Sequence, residues 1–302
     1  MANPRVCVVG SSNLDLNASV ERFPAPGETL HGSRFTTGFG GKGANQAVMA
    51  ARLGADVALI TRVGNDSFGR DLLEHYRREG LDTTFALATD GVATGVALIA
   101  IDAAGRNQII VIPGANGRLT PEDIERARGA IESATVLACQ MEVPLETNLA
   151  AMRIAHRAGA TVLFNPAPAP ASLPDEVFAL CSVFCPNEHE AASLSGEREP
   201  AAAAKQFLDR GARHVIITLG ERGCLLVNEM RSVRVPAPCV TAIDTTGAGD
   251  AFLGCLAYEL ARGADLEAAA TRACRVAAWT VQRTGTQTSF PPRGERFSVQ
   301  EV

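Results

Sequence analysis

Asp250 stands at the start of a predicted helix, directly after the glycine-rich turn Gly247-Ala248-Gly249. Glycines allow a backbone to come close to a ligand, and the free N–H groups at a helix start attract anions. A carboxylate beside such an anion hole suits phosphoryl transfer, with Asp250 taking the proton of the attacking hydroxyl. The alternative is an ordinary turn in which Asp250 complements the helix dipole, and this motif by itself favours neither interpretation.

A second glycine cluster begins at Gly38 and presents Lys42 and Asn45 from the start of another predicted helix. It matches the G-x-G-x-x-G pattern, but residues 33–37 before it are not a buried apolar strand, so a dinucleotide site is not favoured. It is not a P-loop either, because Lys42 is followed by Gly43. Lys42 and Asn45 could hydrogen-bond a polyhydroxylated ligand, with helix capping as the alternative.

The composition is that of a soluble enzyme. The chain has 302 residues, of which 46% are hydrophobic and 20% charged, with a net charge of −5. These values indicate neither disorder nor binding to nucleic acid or a membrane surface. The apolar run at 6–9 follows no basic region, so no signal peptide is predicted. The run at 96–101 is too short to cross a bilayer. Eight scattered cysteines favour reduced thiols and a cytoplasmic location.

The spacing of Cys181, Cys185 and His189 raises the question of a metal site. Residues 183–186 resemble the end of a strand, so the three side chains would not share one helix face. Small cysteines in the protein core are therefore the favoured interpretation.

Strand-like and helix-like patterns alternate along most of the chain. Strands are predicted at 6–9, 57–60, 135–138, 161–164, 183–185 and 214–218. Helices are predicted at 44–53, 67–78, 121–131, 146–158, 188–194 and 201–210, with two more between 246 and 283 that are separated near Gly263. This order predicts an α/β fold with a doubly wound, mainly parallel sheet and helices on both faces.

Two stretches interrupt this alternation and predict a small antiparallel β lid. Leu14, Leu16, Ala18 and Val20 alternate with a polar face that carries Asn13, Asp15 and Asn17. Residues 94–112 have the pattern of a hairpin. The predicted lid spans 13–37 and 91–112, and the predicted core spans 1–12, 38–90 and 113–302. An ordinary edge ribbon with its polar face in solvent is the alternative.

Together these residues identify a resemblance to the ribokinase family of carbohydrate kinases, also called the phosphofructokinase-B family, over essentially the whole chain. Six motifs in order carry it, at 40–46, 140–142, 165–169, 186–190, 218–223 and 244–250. The resemblance implies a ribokinase-like fold and ATP-dependent phosphorylation of the primary hydroxyl of a small sugar, with D-ribose to D-ribose 5-phosphate as the expected reaction. A kinase for deoxyribose, fructose or a nucleoside is the alternative. A non-catalytic sugar sensor on the same scaffold is a further alternative, but an intact Asp250 argues against it.

The resemblance also implies roles for individual residues. Asp250 would be the catalytic base, and Gly247, Ala248 and Gly249 would form the anion hole. The sugar would be bound by Asn13, Asp15, Gly41, Lys42, Asn45, Glu142 and Asp250. ATP would be bound by Asn187, Thr218, Gly220, Gly223, Gly249 and Cys274, and Glu190 would hold Mg²⁺ through water. Cys274 departs from the family pattern, which often has histidine beside the adenine.

Two further expectations come from the same resemblance. A potassium ion would be bound beside the anion hole by Asp244, Thr246, Thr280, Arg283, Gly285 and Ser289, with Thr246, Thr280, Arg283 and Gly285 contributing backbone carbonyls. The alternative is that Asp244 caps the next helix and that Gly285 and Ser289 merely close the late loop, residues 283–289. The protein would also form a homodimer by pairing two lids about a twofold axis.

Overall fold

The computed structural model describes residues 4–294, so residues 1–3 and 295–302 of the predicted core lie outside the described part. In chain order its strands are β1 (Arg5–Val9), β2 (Asn13–Ser19), β3 (Arg34–Gly40), β4 (Asp56–Gly64), β5 (Ala86–Thr89), β6 (Gly95–Ile101), β7 (Asn107–Ile112), β8 (Val136–Gln140), β9 (Thr161–Asn165), β10 (Val183–Phe184), β11 (His214–Thr218), β12 (Cys224–Val227) and β13 (Ser232–Val235). Its helices are α1 (Lys42–Leu53), α2 (Ser67–Arg78), α3 (Pro121–Arg126), α4 (Arg128–Ser133), α5 (Leu145–Arg157), α6 (Asp175–Leu180), α7 (Glu188–Ser195), α8 (Pro200–Asp209), α9 (Ala248–Ala261) and α10 (Leu266–Val281).

The larger sheet has the strand order β13-β12-β11-β10-β9-β8-β1-β4-β5. Every pairing from β5 to β11 is parallel, and β12 and β13 add two antiparallel pairings at one edge. The prediction of a doubly wound, mainly parallel sheet is therefore confirmed. The antiparallel edge was not predicted, because its two short strands follow β11 without a helix between them.

Hydrophobic cores cover both faces of this sheet. On β1, Val6 and Val8 join one core while Cys7 and Val9 join the other, because successive side chains of a strand point to opposite faces. Helices α1, α2, α9 and α10 supply apolar residues to the first core, and helices α3 to α8 supply the second. This two-sided burial explains why β1 is apolar at each of its last four positions.

A second, four-stranded sheet has the order β3-β2-β6-β7. Its outer pairings are antiparallel, as expected, but the central pairing of β2 with β6 is parallel. The strand β3 was not predicted, because its sequence of Arg, Phe, Thr and Gly is half-exposed and lacks a continuous apolar pattern. Whether this sheet moves as a lid stays a prediction.

Helices α1 and α9 pack closely against each other. At Gly254, in the middle of α9, an added Cβ would lie 2.6 Å from both Gln46 O and Met49 Cβ of α1. Only glycine permits this approach. The predicted break near Gly263 is found between α9 and α10. Among the helices of residues 4–294, none has the length and apolar character needed to cross a membrane.

Candidate active site

The predicted site residues meet at the carboxyl-terminal edge of the parallel strands, where α1 and α9 begin. Asn45 of α1 contacts Asp250 of α9, and Glu142, which follows β8, contacts the start of α1. Open α/β sheets bind their ligands at this edge. The structure thus brings together residues that lie up to 205 positions apart in the chain.

Asp250 is buried in the first turn of α9, with 8% of its surface exposed. Its Oδ2 accepts a hydrogen bond from Asn45 Nδ2 at 2.8 Å, and its Oδ1 accepts one from Gln46 Nε2 at 3.2 Å. Burial raises the pKa of Asp250, while Lys42 and the two amide donors act in the opposite direction. A carboxylate with a raised pKa that still receives donors is well suited to accept a proton.

The turn before α9 lies at the positive end of the helix dipole. Gly247 has φ of 76° in the left-handed region, and no side chain caps the helix there. A Cβ at this position would lie 2.6 Å from Thr286 Cγ2, so the turn needs glycine for both conformation and space. No heavy atom outside the turn lies within 4 Å of a Cβ built on Gly249. The start of α9 therefore has open space beside Gly249, and the helix dipole favours an anion there.

Glu142 braces the start of α1. Its Oε2 accepts hydrogen bonds from Ser11 Oγ at 2.5 Å and from the Lys42 backbone N–H at 3.0 Å. Gly41 is the residue that precedes this helix start. A carboxylate is favourable at a helix N-terminus because of the helix dipole. Glu142 is thus an internal partner of the site and not a surface charge.

Asp15 lies on β2 and faces the other acidic residues. The pKa of Asp15 is raised to about 7. Burial is the main cause, and the carboxylates of Glu142 and Asp250 contribute to it. Burial alone would lower the pKa of Lys42, but Asp250, Glu142 and Glu190 raise it above its usual value. The site is thus a cluster of carboxylates around the half-buried Lys42.

Asn13, at the start of β2, is fixed by its neighbours. It is buried, and its Oδ1 accepts a hydrogen bond from Asn116 Nδ2 at 2.7 Å. Asn116 is oriented in turn by the Ser12 backbone N–H, which donates to Asn116 Oδ1 at 2.8 Å. This network presents Asn13 from the same strand as Asp15, as the alternating pattern predicts.

Asn187 and Glu190 form a reciprocal cap at the start of α7. Glu190 N donates to Asn187 Oδ1 and Asn187 N donates to Glu190 Oε2, both at 2.8 Å. Both residues therefore cap α7. Burial raises the pKa of Glu190, with Lys42 lowering it and Asp250 raising it, so its carboxylate also faces the acidic cluster.

The predicted nucleotide residues lie at the end of β11, in the turn before β12 and in the middle of α10. Thr218 N donates to Pro186 O at 3.0 Å, which joins the end of β11 to the start of α7. Gly220 and Gly223 close a tight turn before β12. Cys274 of α10 is buried, and its Sγ lies 4.0 Å from Cys224 Sγ of β12.

Asp244 joins the anion-hole turn to the late loop. Its Oδ1 accepts from Thr246 N at 2.9 Å and its Oδ2 accepts from Gly285 N at 2.8 Å. Arg283 N donates to Thr280 O at 3.1 Å, and Ser289 Oγ donates to Thr286 O at 2.7 Å. The structure therefore brings the predicted potassium residues into two adjacent segments.

The three residues considered for a metal site, Cys181, Cys185 and His189, lie in different environments. Cys181 and Cys185 are buried on either side of β10, whereas His189 is exposed on α7. Within residues 4–294, no group of three or more His, Cys, Asp or Glu side chains is arranged to hold a metal ion.

Several residues of the site were missed by the sequence analysis. Gln46 donates to the predicted base, and Ser11 and Asn116 orient predicted sugar ligands. Gln287 donates to Asn45 Oδ1 at 2.8 Å from the late loop. Gln46 lies inside the motif at 40–46 and could have been found there. The contacts of Ser11, Asn116 and Gln287 span more than 100 positions, so no local pattern reveals them.

Comparison with known proteins agrees with this geometry. The pfkB family of carbohydrate kinases matches residues 3–293. A ribokinase of Mus musculus is 45% identical over 95% of this chain and 91% of its own length, and a deoxyribokinase of Salmonella typhi is 40% identical over 95% of each chain. The structure of an Arabidopsis thaliana ribokinase with ribose and ATP matches with a TM-score of 0.89 and 28% identity, covering 97% of each chain.

The chain belongs to the pfkB family of carbohydrate kinases. The predictions of the family, of its fold and of an ATP-dependent sugar kinase are thereby confirmed.

The raised pKa of Asp15 makes the stability of the free enzyme depend on pH. In the unfolded chain Asp15 titrates near pH 3.9, but in the folded protein its pKa is about 7. Its stabilising contribution is complete below the unfolded pKa and is lost as the pH rises between these values, because the ionised group is buried beside other carboxylates. Asp15→Asn should therefore raise the Tm by about 3 °C or more at pH 8 and by much less at pH 4, as measured by calorimetry.

Asp71→Asn, at an exposed position on α2, is the matched control and should shift the Tm equally at both pH values. An Asp15→Asn shift that did not grow between pH 4 and pH 8 would contradict the assignment.

Proposed function

We propose that the protein transfers the γ-phosphoryl group of ATP to the primary hydroxyl of D-ribose and forms D-ribose 5-phosphate. The observation that carries this proposal is the buried Asp250 beside the open turn at Gly249, with Asp15 and Glu142 in the same cluster. A proton acceptor, an anion pocket and carboxylates for hydroxyl donors are what sugar phosphorylation requires.

Asp250 acts as the general base in this proposal. Asn45 and Gln46 hold its two oxygens, so the lone pairs that remain point to the substrate hydroxyl. The pKa of Asp250 lies above its usual value, which increases its affinity for the proton that the hydroxyl loses. The oxygen then attacks the γ-phosphorus, and ADP leaves with the electron pair of the broken P–O bond.

The backbone of Gly247, Ala248 and Gly249 stabilises the transferring group. These residues begin α9, whose dipole places partial positive charge at its first N–H groups. Charge on the phosphoryl oxygens increases toward the transition state, so preorganised N–H donors lower the barrier. The proposed nucleotide site is formed by Asn187, Thr218, Gly220, Gly223 and Cys274.

The acidic cluster binds the sugar. Asp15 and Glu142 accept hydrogen bonds from ring hydroxyls, whereas Asn13, Asn45 and Lys42 supply donors, and Gly41 lets the backbone approach the ring. A site built around such groups discriminates strongly against an analogue that lacks a hydroxyl, because a buried polar group is then unpaired. This supports ribose, and the similarity to a deoxyribokinase makes 2-deoxyribose the second candidate.

Glu190 fits a role toward Mg²⁺. Its carboxylate is partly buried and faces both Lys42 and Asp250, yet among the described residues no third acidic or histidine ligand joins it. This donor set suits an ion that keeps most of its water and binds substrate phosphates. When bound there, Mg²⁺ would neutralise phosphate charge.

The residues around Asp244 fit a potassium ion. A carboxylate, the Ser289 hydroxyl and the nearby backbone carbonyls offer the hard oxygen ligands that K⁺ prefers. Asp244 already bridges Thr246 to Gly285, so a cation here would order the turn that precedes the anion hole. When bound, K⁺ would supply fixed positive charge close to the phosphates.

The lid also supports a homodimer. On the face of the second sheet away from Asp15, Phe35, Leu98, Ile110 and Ile112 are 39–65% exposed. Such a contiguous apolar face is unusual on a monomer, and pairing two copies about a twofold axis would cover it. Leu14, at the start of β2, is buried and does not contribute to this surface.

A cytoplasmic location accords with the use of ATP and with cysteine chemistry. All eight cysteines are free thiols, and seven of them are buried. Free thiols persist in the reducing environment of the cytosol.

An acceptor panel tests the function. ADP release measured with ribose, 2-deoxyribose, fructose and adenosine should give the highest kcat/KM for ribose. Asp250→Asn should lower kcat by roughly two to four orders of magnitude, with little change in the sugar KM. Asp71→Asn should behave as wild type.

A preference for another acceptor would reject ribose and retain the kinase. No ADP release with any of them would favour the sugar sensor, and an active Asp250→Asn variant would reject the base.

Potassium should activate the enzyme more than sodium. In a potassium-free buffer whose ionic strength is held by choline chloride, kcat should be low and should rise on titration with KCl. Asp244→Asn should weaken this response, because it removes charge from the proposed site. Equal activation by every salt would leave only the alternative in which Asp244 closes the loop.

Light scattering at micromolar concentration should give twice the 31.7 kDa mass of one chain. Ile110→Lys should give a monomer, since it places a charge within the proposed interface. Met230 lies in the turn between β12 and β13 and is 93% exposed, so the Met230→Lys variant should remain a dimer. A wild-type monomer would contradict the interface.

A further inference from the structure

A chain of hydrogen bonds leads from Asp250 to a histidine outside the proposed site. Asn45 Nδ2 donates to Asp250 Oδ2 at 2.8 Å, and Asn45 Oδ1 accepts from Gln287 Nε2 at 2.8 Å. Gln287 Oε1 in turn lies 2.7 Å from His75 Nε2. The chain therefore joins α9, α1, the late loop and α2.

The direction of every bond in this chain follows from Asp250 at one end. The carboxylate of Asp250 only accepts, so Asn45 must present its NH₂ group there and its oxygen to Gln287. Gln287 must then present its own NH₂ to Asn45 and its oxygen to His75. His75 must donate from Nε2, which both its Nε2–H tautomer and its imidazolium form can do.

The surroundings hold the chain in place. Asn45 and Gln287 are each 4% exposed, so water does not readily replace their partners. The His75 ring stacks on Phe39 of β3, with a centroid separation of 3.9 Å. Arg52 Nη1 donates to the Gln287 backbone oxygen at 2.7 Å and Arg52 pairs with Glu79. The charged groups that face His75 are Glu79, Arg52 and Arg78.

We propose that His75 and Gln287 are positioning residues that orient the Asn45 amide so that it donates to Asp250. This inference rests on the proposed role of Asp250 as the base. Neither residue touches the reacting atoms; each acts through its neighbour. If the chain is broken at His75, Gln287 Oε1 loses its hydrogen-bond donor, and the Gln287 amide that donates to Asn45 is held less firmly in the orientation that Asn45 requires.

Loss of the Asn45 donor has a measurable consequence at Asp250. The hydrogen bond from Asn45 lowers the pKa of Asp250, whereas burial raises it. A weakened donor therefore raises the pKa of the base, and the acidic limb of the pH profile of kcat/KM must move to higher pH. A purely structural role for His75 or Gln287 would not produce this shift.

Paired substitutions at His75 separate hydrogen bonding from packing. His75→Phe retains an aromatic ring against Phe39 but loses the donor, whereas His75→Gln retains a donor near the Nε2 position and loses the ring. His75→Phe and Gln287→Leu should lower kcat about 3- to 10-fold at saturating KCl, the loss expected for one hydrogen bond. Both should move the acidic limb upward and leave the KM for ATP unchanged, while His75→Gln should match the wild-type profile.

Controls keep the test independent of folding and of the proposed function. His156→Phe on the surface of α5 and Thr284→Ala in the late loop should match wild type, and each variant is compared at equal folded fraction by circular dichroism. The proposal is overturned if His75→Phe leaves the limb in place, or if His75→Gln is as impaired as His75→Phe. If Asp250→Asn keeps wild-type turnover, the base assignment fails first, whatever the His75 variants do.

Discussion

Asp250 must be buried to meet its substrate away from water, yet it must ionise to accept a proton. The amide donors that reconcile these requirements, Asn45 and Gln46, both come from the first turn of α1. Their distance to Asp250 depends on how closely α1 approaches α9, which the missing side chain of Gly254 permits. The start of α1 is in turn held by Glu142 after β8. Glu142 thus joins the end of β8 to Ser11, which follows β1, and to the start of α1.

The acidic cluster is unfavourable for the free protein and useful for the bound one. The carboxylate of Glu142 raises the pKa of both Asp15 and Asp250, and Asp250 also raises the pKa of Asp15. A polyhydroxylated substrate brings several donors into this space and satisfies those oxygens at once. Natural proteins break local rules of stability mainly at functional sites, and this cluster is such a place. The second sheet extends the arrangement, because it carries Asp15 on a strand that is separate from the core.

Much of the fold could be predicted from the sequence because its patterns are local. The apolar runs of β1 and β8 and the glycine-to-helix junction at Asp250 each lie within a dozen residues. The parallel pairing of β2 with β6 could not be predicted, since it joins residues about 80 positions apart without a turn between them. Gln287 was missed for the same reason: its partner Asn45 is 242 positions away, and its own loop has no periodic pattern. Motifs identified the catalytic centre, but only the tertiary structure identified the groups that orient it.

Trp279 is the one tryptophan in the sequence, and it lies in the last turn of α10. The guanidinium carbon of Arg283 lies 3.4 Å from the centroid of its ring, and Arg283 Nη1 donates to the Trp279 backbone oxygen at 2.8 Å. Arg283 also begins the loop that Asp244 ties to the turn before α9. Indole emission responds to a cation on the ring face, so the tryptophan emission of the protein reports on the loop that Arg283 begins. The chain therefore contains its own optical probe, through which rearrangement beside the catalytic turn can be followed without a label.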